Sequence, residues 1–185
     1  AISPLSCCTS ALVPAITNPV PAAEHPELVA PSVAAALPFV PECLVAPIDP
    51  AFADTEALCA EYDLPLAWSV NAVVVKGVRA GVEKFVVCMT PAHKRVDVNN
   101  VVRRRLDARK ASFAPMDQAV ALTGMEYGGI TPVGVPADWP IWVDPDAVEI
   151  AWACIGSGIR GSKLFLPGRA LLDLPNAEAV DGLAR

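Results

Sequence analysis

The stretch SVNAVVVKGVRAGVEKFVVCM, residues 69–89, places two valine-rich runs on either side of a segment holding two glycines. Ser69–Val75 and Glu83–Met89 carry the β-branched residues that suit a pleated, half-buried surface. Lys76–Val82 carries the glycines and two cations of a turn. This segment predicts an antiparallel hairpin. A hairpin cannot be accommodated in a purely doubly wound parallel sheet, so the fold class follows from what surrounds it.

Helices and strands alternate on both sides. Upstream, Pro31–Leu37 predicts a short helix entered through proline, Cys43–Ile48 a short strand halted at Asp49-Pro50, and Asp54 the cap of a helix through Tyr62. Downstream, Asp97 is a suitable N-cap for a helix through Leu106, whose Val98, Val101, Val102 and Leu106 make an apolar stripe. Arg103, Arg104 and Arg105 fan over about 200° of that helix, so at least one must approach the apolar side and snorkel or pair. Ala111–Ala114 predicts a strand, Pro115 to Gly124 a helix, Ile141–Val143 and Val148–Ile155 two strands, Lys163–Leu166 another, Pro167–Leu174 a short helix and Glu178–Val180 a last strand. The expectation is one α+β (mixed α/β) domain, a curved mixed sheet with packed helices.

The 185 residues are 54% hydrophobic and 18% charged, enough apolar material for a core and too little polarity for disorder. Residues 1–75 hold eight acidic side chains and no Lys or Arg, whereas all fourteen basic residues follow. Within 94–110, seven cations face Asp97 and Asp107. Such asymmetry suits a polyanionic partner, and it also suits a solvated helix face. The six cysteines include the adjacent Cys7 and Cys8 and no CxxC spacing, which reads as free thiols in a reducing compartment. His25 and His93 offer little to a zinc site and no nucleophile–base pair, so no metal or cofactor is expected.

Residues 1–25 read as a leader, strand-like near Leu12–Ile16. Their prolines exclude a membrane helix, and a basic n-region is missing, so a cytoplasmic protein with no membrane partner is expected. The folded domain is expected over residues 26–185.

Two glycine-rich constellations could carry chemistry. Gly128-Gly129-Ile130-Thr131-Pro132-Val133-Gly134 can aim several N–H groups at a carbonyl or carboxylate, or can be a tight strand connection. Gly156-Ser157-Gly158-Ile159-Arg160-Gly161 departs from the dinucleotide pattern and suits a hairpin turn. Its Ser157 and Arg160 could also grip a phosphate.

The ordered series Asn71-Ala72-Val73-Val74-Val75, Asp97-Val98-Asn99, Lys110-Ala111-Ser112-Phe113-Ala114, the two glycine segments, and Lys163-Leu164-Phe165-Leu166-Pro167-Gly168 resembles the YbaK/prolyl-tRNA synthetase-associated editing domain family. The resemblance implies hydrolysis of the ester joining a small wrong amino acid to tRNA, often tRNA for proline, with no cofactor. It implies misacylated tRNA as a partner, with an aminoacyl-tRNA synthetase as a second. Gly128, Gly129, Ile130, Thr131 and Pro132 would hold the aminoacyl end, and Ser157 and Arg160 the terminal nucleotide. Lys94, Arg103, Arg104 and Arg105 would hold the tRNA backbone. Better-known members carry a key lysine where this chain has Asn71. Lys76, five places along, should point to the opposite face about 16 Å away. Asn71 would then orient the ester or water without supplying charge. A catalytically inactive tRNA-binding module keeps the same fold and loses hydrolysis, and a small-molecule binder would lack tRNA affinity.

Overall fold

The computed structural model describes residues 19–185. The expected strand-like stretch Leu12–Ile16, and Cys7 and Cys8, lie outside the described residues.

The hairpin is the longest pairing in the molecule. Strands β3 (Val70–Arg79) and β4 (Val82–Pro91) run antiparallel from Val70↔Pro91 to Arg79↔Val82. Ala80 and Gly81 alone make the turn, with φ of 51° and 79°. Two left-handed residues match the right-handed twist of the flanking strands. The turn is therefore tighter than the expected Lys76–Val82. Gly77 sits inside β3, because a Cβ there would come within 2.8 Å of Ala108 Cβ.

The hairpin lies within a five-stranded sheet ordered β5-β3-β4-β6-β9, where β5 is Lys110–Phe113, β6 Ile141–Val143 and β9 Ala177–Ala179. Its β4–β6 and β6–β9 pairs are parallel, so this sheet is mixed as expected. A second, antiparallel sheet is ordered β1-β2-β8-β7, with β1 Val20–Pro21, β2 Leu44–Pro47, β7 Ala153–Gly156 and β8 Ser162–Leu166. The single curved sheet is thus corrected to two. They meet at an isolated parallel bridge between Ser69 and Cys154. β1 and the buried Ala22 also bring residues before 26 into the folded unit.

Local signals explain the helices. Pro31 opens Pro31–Ala36, Asp54 occupies the N-cap of Thr55–Tyr62, and Gly124 closes Met116–Thr123 at φ 69°. Asp97 accepts from Asn100 N–H at 3.1 Å and starts a π-helical turn, Val98–Val102, that runs into Arg103–Arg105. One expected strand fails: 148–152 is not extended. Asp144 accepts from Asp146 N–H at 2.9 Å and Pro145 follows it, so Pro145–Val148 is a helical turn and β7 begins only at Ala153. The expected helix at 167–174 is a 3-10 stretch, Gly168–Asp173.

The largest core lies between the sheets, with Val45, Met89, Ile141 and Leu164 among its members. A second packs helix Thr55–Tyr62 on the antiparallel sheet through Leu44, Leu58 and Phe165. Burying one such leucine contributes roughly 1.5–3 kcal/mol. A third packs Val102 and Leu106 of the arginine-bearing helix on Val75, Val86 and Trp142.

Candidate active site

Where the sheets meet, β3, β7 and β8 spread apart under helix Thr55–Tyr62 and leave a cavity of about 470 Å³. Its lining is completed by Met116 and Ala119 of the next helix and by Gly128 and Ile130. The loop can lie this close because β7 ends in Gly156. A Cβ there would stand 2.5 Å from Ile130 O and 2.6 Å from Gly129 O. Gly128 has φ 76°, a conformation that favours glycine.

Asn71 lines this cavity from the start of β3. Its Oδ1 accepts from the Thr55 hydroxyl at 2.9 Å, which leaves its NH2 as the group presented to the cavity. Lys76 is elsewhere. Its Nζ donates to Glu83 at 3.0 Å and to Gln118 at 3.2 Å.

The glycine-rich loop divides. Gly128 and Ile130 line the cavity, but Gly129 is buried behind it, its N–H already donated to Glu126 O at 3.0 Å. Thr131 and Pro132 are buried away from the cavity, and proline has no N–H to offer. These three are corrected from ligand contacts to support for the loop.

Ser157 is corrected as well. It is fully buried, and its hydroxyl bonds Ile159 O at 3.1 Å and Ser162 O at 3.0 Å, so it ties the β7–β8 turn together and faces no ligand. Arg160 lies against Gly128 without lining the cavity, and its guanidinium is committed. It donates to Tyr127 O and Pro50 O, each at 3.2 Å, and lies 3.7 Å from Asp54.

The basic segment also divides. Lys94 is bound between Asp144 at 3.2 Å and Asp146 at 2.6 Å, and the hydrogen bond it donates to Asp146 leads the effects that raise its pKa. With two carboxylates on one ammonium, this spot is not positive, and Lys94 is corrected from phosphate ligand to structural ion pair. Arg105 pairs with Glu178 at 2.8 Å and stacks 5.1 Å over Trp142, the pairing expected of one arginine in the row. Arg104 is exposed without a side-chain partner among the described residues. Arg103 lines a shallow groove with Arg109 and Lys110.

One cavity residue was not expected at all. Lys163, on β8 opposite Gly156, is only 8% exposed and lines the same cavity as Asn71. Burial lowers its pKa from the usual lysine value. The signal available was a cation inside the apolar run Ser162–Leu166, a place lysine rarely occupies without a reason.

Cavity, glycine loop and basic flank all fall within, or border, one stretch of chain. Residues 49–174 match the profile of the aminoacyl-tRNA editing domain. The chain belongs to that family.

This editing domain is 23% identical over 96 residues to an Enterococcus faecalis protein named as a Cys-tRNA(Pro)/Cys-tRNA(Cys) deacylase, EbsC, covering 52% of this chain and 58% of that protein. Among solved structures, one named as a trans-editing enzyme for prolyl-tRNA synthetase superposes with a TM-score of 0.68 at 19% identity, over 82% of this chain and 94% of that one. A scaffold used for computational epitope grafting superposes with a TM-score of 0.69 at 20% identity, over 82% and 95%. At these identities, the structural likeness concerns the fold. Among the described residues, no helix is long and apolar enough to cross a membrane.

Proposed function

We propose that this editing domain is an aminoacyl-tRNA deacylase acting in trans, hydrolysing the ester of a small mischarged amino acid. The observation that carries the reading is the cavity at the sheet junction, which Asn71 lines together with Gly128 and Ile130 of the loop and a set of apolar side chains. An aminoacyl ester is already activated, so positioned donors can supply much of the rate without a cofactor. Asn71 aligns the acyl group, and the loop backbone closes over it. The side chain of the amino acid enters among Leu58, Val74 and Ile130.

The tRNA approaches over Arg103, Arg104, Arg109 and Lys110. Lys110 begins β5 and Phe113 ends it, so the strand leads from the basic groove to the cavity's mouth, a span of about 10 Å. Phe113 is 64% exposed there and offers a stacking face to the terminal base, the role expected of Ser157 and Arg160.

The test is a deacylation screen over tRNAs carrying alanine, cysteine, serine or proline, with and without prolyl-tRNA synthetase. Hydrolysis of at least one misacylated species is the expected result, and the synthetase arm reads whether that partner contributes. Tight tRNA binding with no hydrolysis of any species would replace the enzyme with a binding module.

A further inference from the structure

The proposed deacylation accounts for Asn71 and the loop, and leaves Lys163 without a task. Three features of this lysine belong together. It stands on β8, an interior strand, between Ala46 of β2 and Gly156 of β7. Its ammonium makes no hydrogen bond or ion pair with any described residue, and its nitrogen is not sealed off in the core. Finally, the groups around it are poor acceptors. Asn71 has given its oxygen to Thr55, Gly129 O accepts from Gly158 N–H, Ile130 O is packed against Gly156, and the Cys154 thiol is pushed by burial to about 12. The nearest carboxylate, Asp54, is largely exposed and turned to Arg160. A buried cation beside the Asn71 donor, whose one nearby carboxylate is shared with Arg160, is a site prepared for negative charge that arrives with the ligand.

We propose that Lys163 is a catalytic residue of this cavity, its ammonium acting with the NH2 of Asn71 to hold the ester carbonyl oxygen and the oxyanion that forms from it. The inference rests on the deacylase reading above. In the step itself, the oxygen of a water forms a bond to the acyl carbon and the carbonyl π pair moves onto the carbonyl oxygen, where Lys163 and Asn71 stabilise it. Collapse restores the carbonyl and breaks the acyl–ribose C–O bond. One proton of the water ends on the ribose oxygen, and the other is released as the amino acid leaves as a carboxylate. Lys163 keeps its protons throughout.

The same burial sets a pH dependence. Besides burial, the titratable groups acting on Lys163 are Asp54 just before the Thr55–Tyr62 helix, Cys59 within it, Cys154 from β7 and Arg160 from the β7–β8 turn. Desolvation outweighs the attraction of the first three, and Arg160 adds repulsion. Because the cation is the working form, activity is lost as pH rises through the lowered pKa. Stability moves the other way. A lysine whose folded pKa lies below its unfolded value makes folding less favourable while charged, and this cost disappears as pH rises toward the unfolded value. Lys163→Met should therefore fold at least as stably as the native chain.

The experiment compares native, Lys163→Met and Lys163→Arg proteins in single-turnover hydrolysis of the misacylated tRNA that the native chain cleaves fastest, from pH 6 to 10. Thermal melting is followed alongside. The expected result is an alkaline loss of activity in the native protein, and a Met variant at least 100-fold slower that lacks that limb while melting no lower. The ¹³Cε resonance of Lys163, identified by its disappearance in the Met variant, is also titrated with an aminoadenosine phosphonate that mimics the tetrahedral adduct. The mimic should shift it and raise its pKa.

Native hydrolysis that the Met substitution leaves unchanged overturns the role of Lys163 and spares the deacylase reading. A native rate that climbs as Lys163 loses its proton also overturns it, because the neutral amine would then be the working form. A native protein inactive on every species whose Lys163 still answers the phosphonate keeps the oxyanion site and removes the deacylase reading. Inactivity with no response to the mimic removes both.

Discussion

The Thr55 hydroxyl donates to Oδ1 of Asn71 across 2.9 Å, so the first residue of the capping helix fixes which end of a β3 amide faces the cavity. Asn71→Ala removes the aligned donor. Loss of one such bond should cost roughly 2–4 kcal/mol in the transition state, about 30- to 1000-fold in turnover. Thr55→Val leaves the amide free to turn over, and a typical hydrogen-bond contribution of about 0.5–1.5 kcal/mol gives an expected loss of about 2- to 12-fold. Single-turnover rates and tRNA affinity measured together check both, since binding should change little.

Gly156→Ala should uncouple the loop from the sheet. The added methyl meets the carbonyl oxygens of Gly129 and Ile130, which are backbone and cannot swing aside. Overpacking of this kind costs about 1–3 kcal/mol. Urea unfolding should register that loss. Turnover should fall further than the unfolded fraction explains, because Gly128 and Ile130 move with the loop.

Binding of tRNA should weaken with salt through the exposed cations alone. Arg103→Glu with Arg104→Glu should lower affinity and flatten the dependence on salt. Lys94→Met should lower the melting temperature, because the buried Asp144 carboxylate loses its partner, and should leave tRNA affinity unchanged. If the Lys94 variant loses affinity as the arginine pair does, the division of the basic segment drawn from its ion pairs is wrong.

Burial pushes the thiols of Cys43, Cys88 and Cys154 to about 12. At pH 8 only about one in ten thousand of each would be thiolate, the form that reacts. Peptide mapping after iodoacetamide should find these three unlabelled in the folded protein and labelled in urea. Among the described residues, no group of three metal-ligating side chains forms a cluster, and a chelator is expected to leave deacylation unchanged.

Much of this arrangement was legible because its signals are local. The valine runs around Ala80-Gly81, the Asp97 cap and the Gly124 stop each act within a few residues, and each formed where its chemistry placed it. Asn71 was placed by the strand that carries it. The strand expected from Val148 failed because Asp144-Pro145 starts a helical turn, which the apolar residues beyond it obscured. Lys163 was missed for a different reason. Its position depends on β8 becoming an interior strand and on Gly156 lying opposite, pairings between segments that no short window contains. Ser157 and Lys94 misled in the opposite direction. A hydroxyl and an ammonium look available in sequence, and only the fold shows them already spent on Ser162 and Asp144.

Strand β5 is the open margin of the five-stranded sheet, with β3 on one side and, among the described residues, no strand on the other. A free margin of this kind is a template on which a second copy can add its own strand. The chain limits that risk by keeping β5 to four residues and opening it with Lys110, directly after Arg109. The two cations assigned to the nucleic acid are therefore also the guard against self-association. Neutralising them should leave a protein that clumps on concentration, and bound tRNA, by covering the same margin, should act on the native chain as a solubiliser.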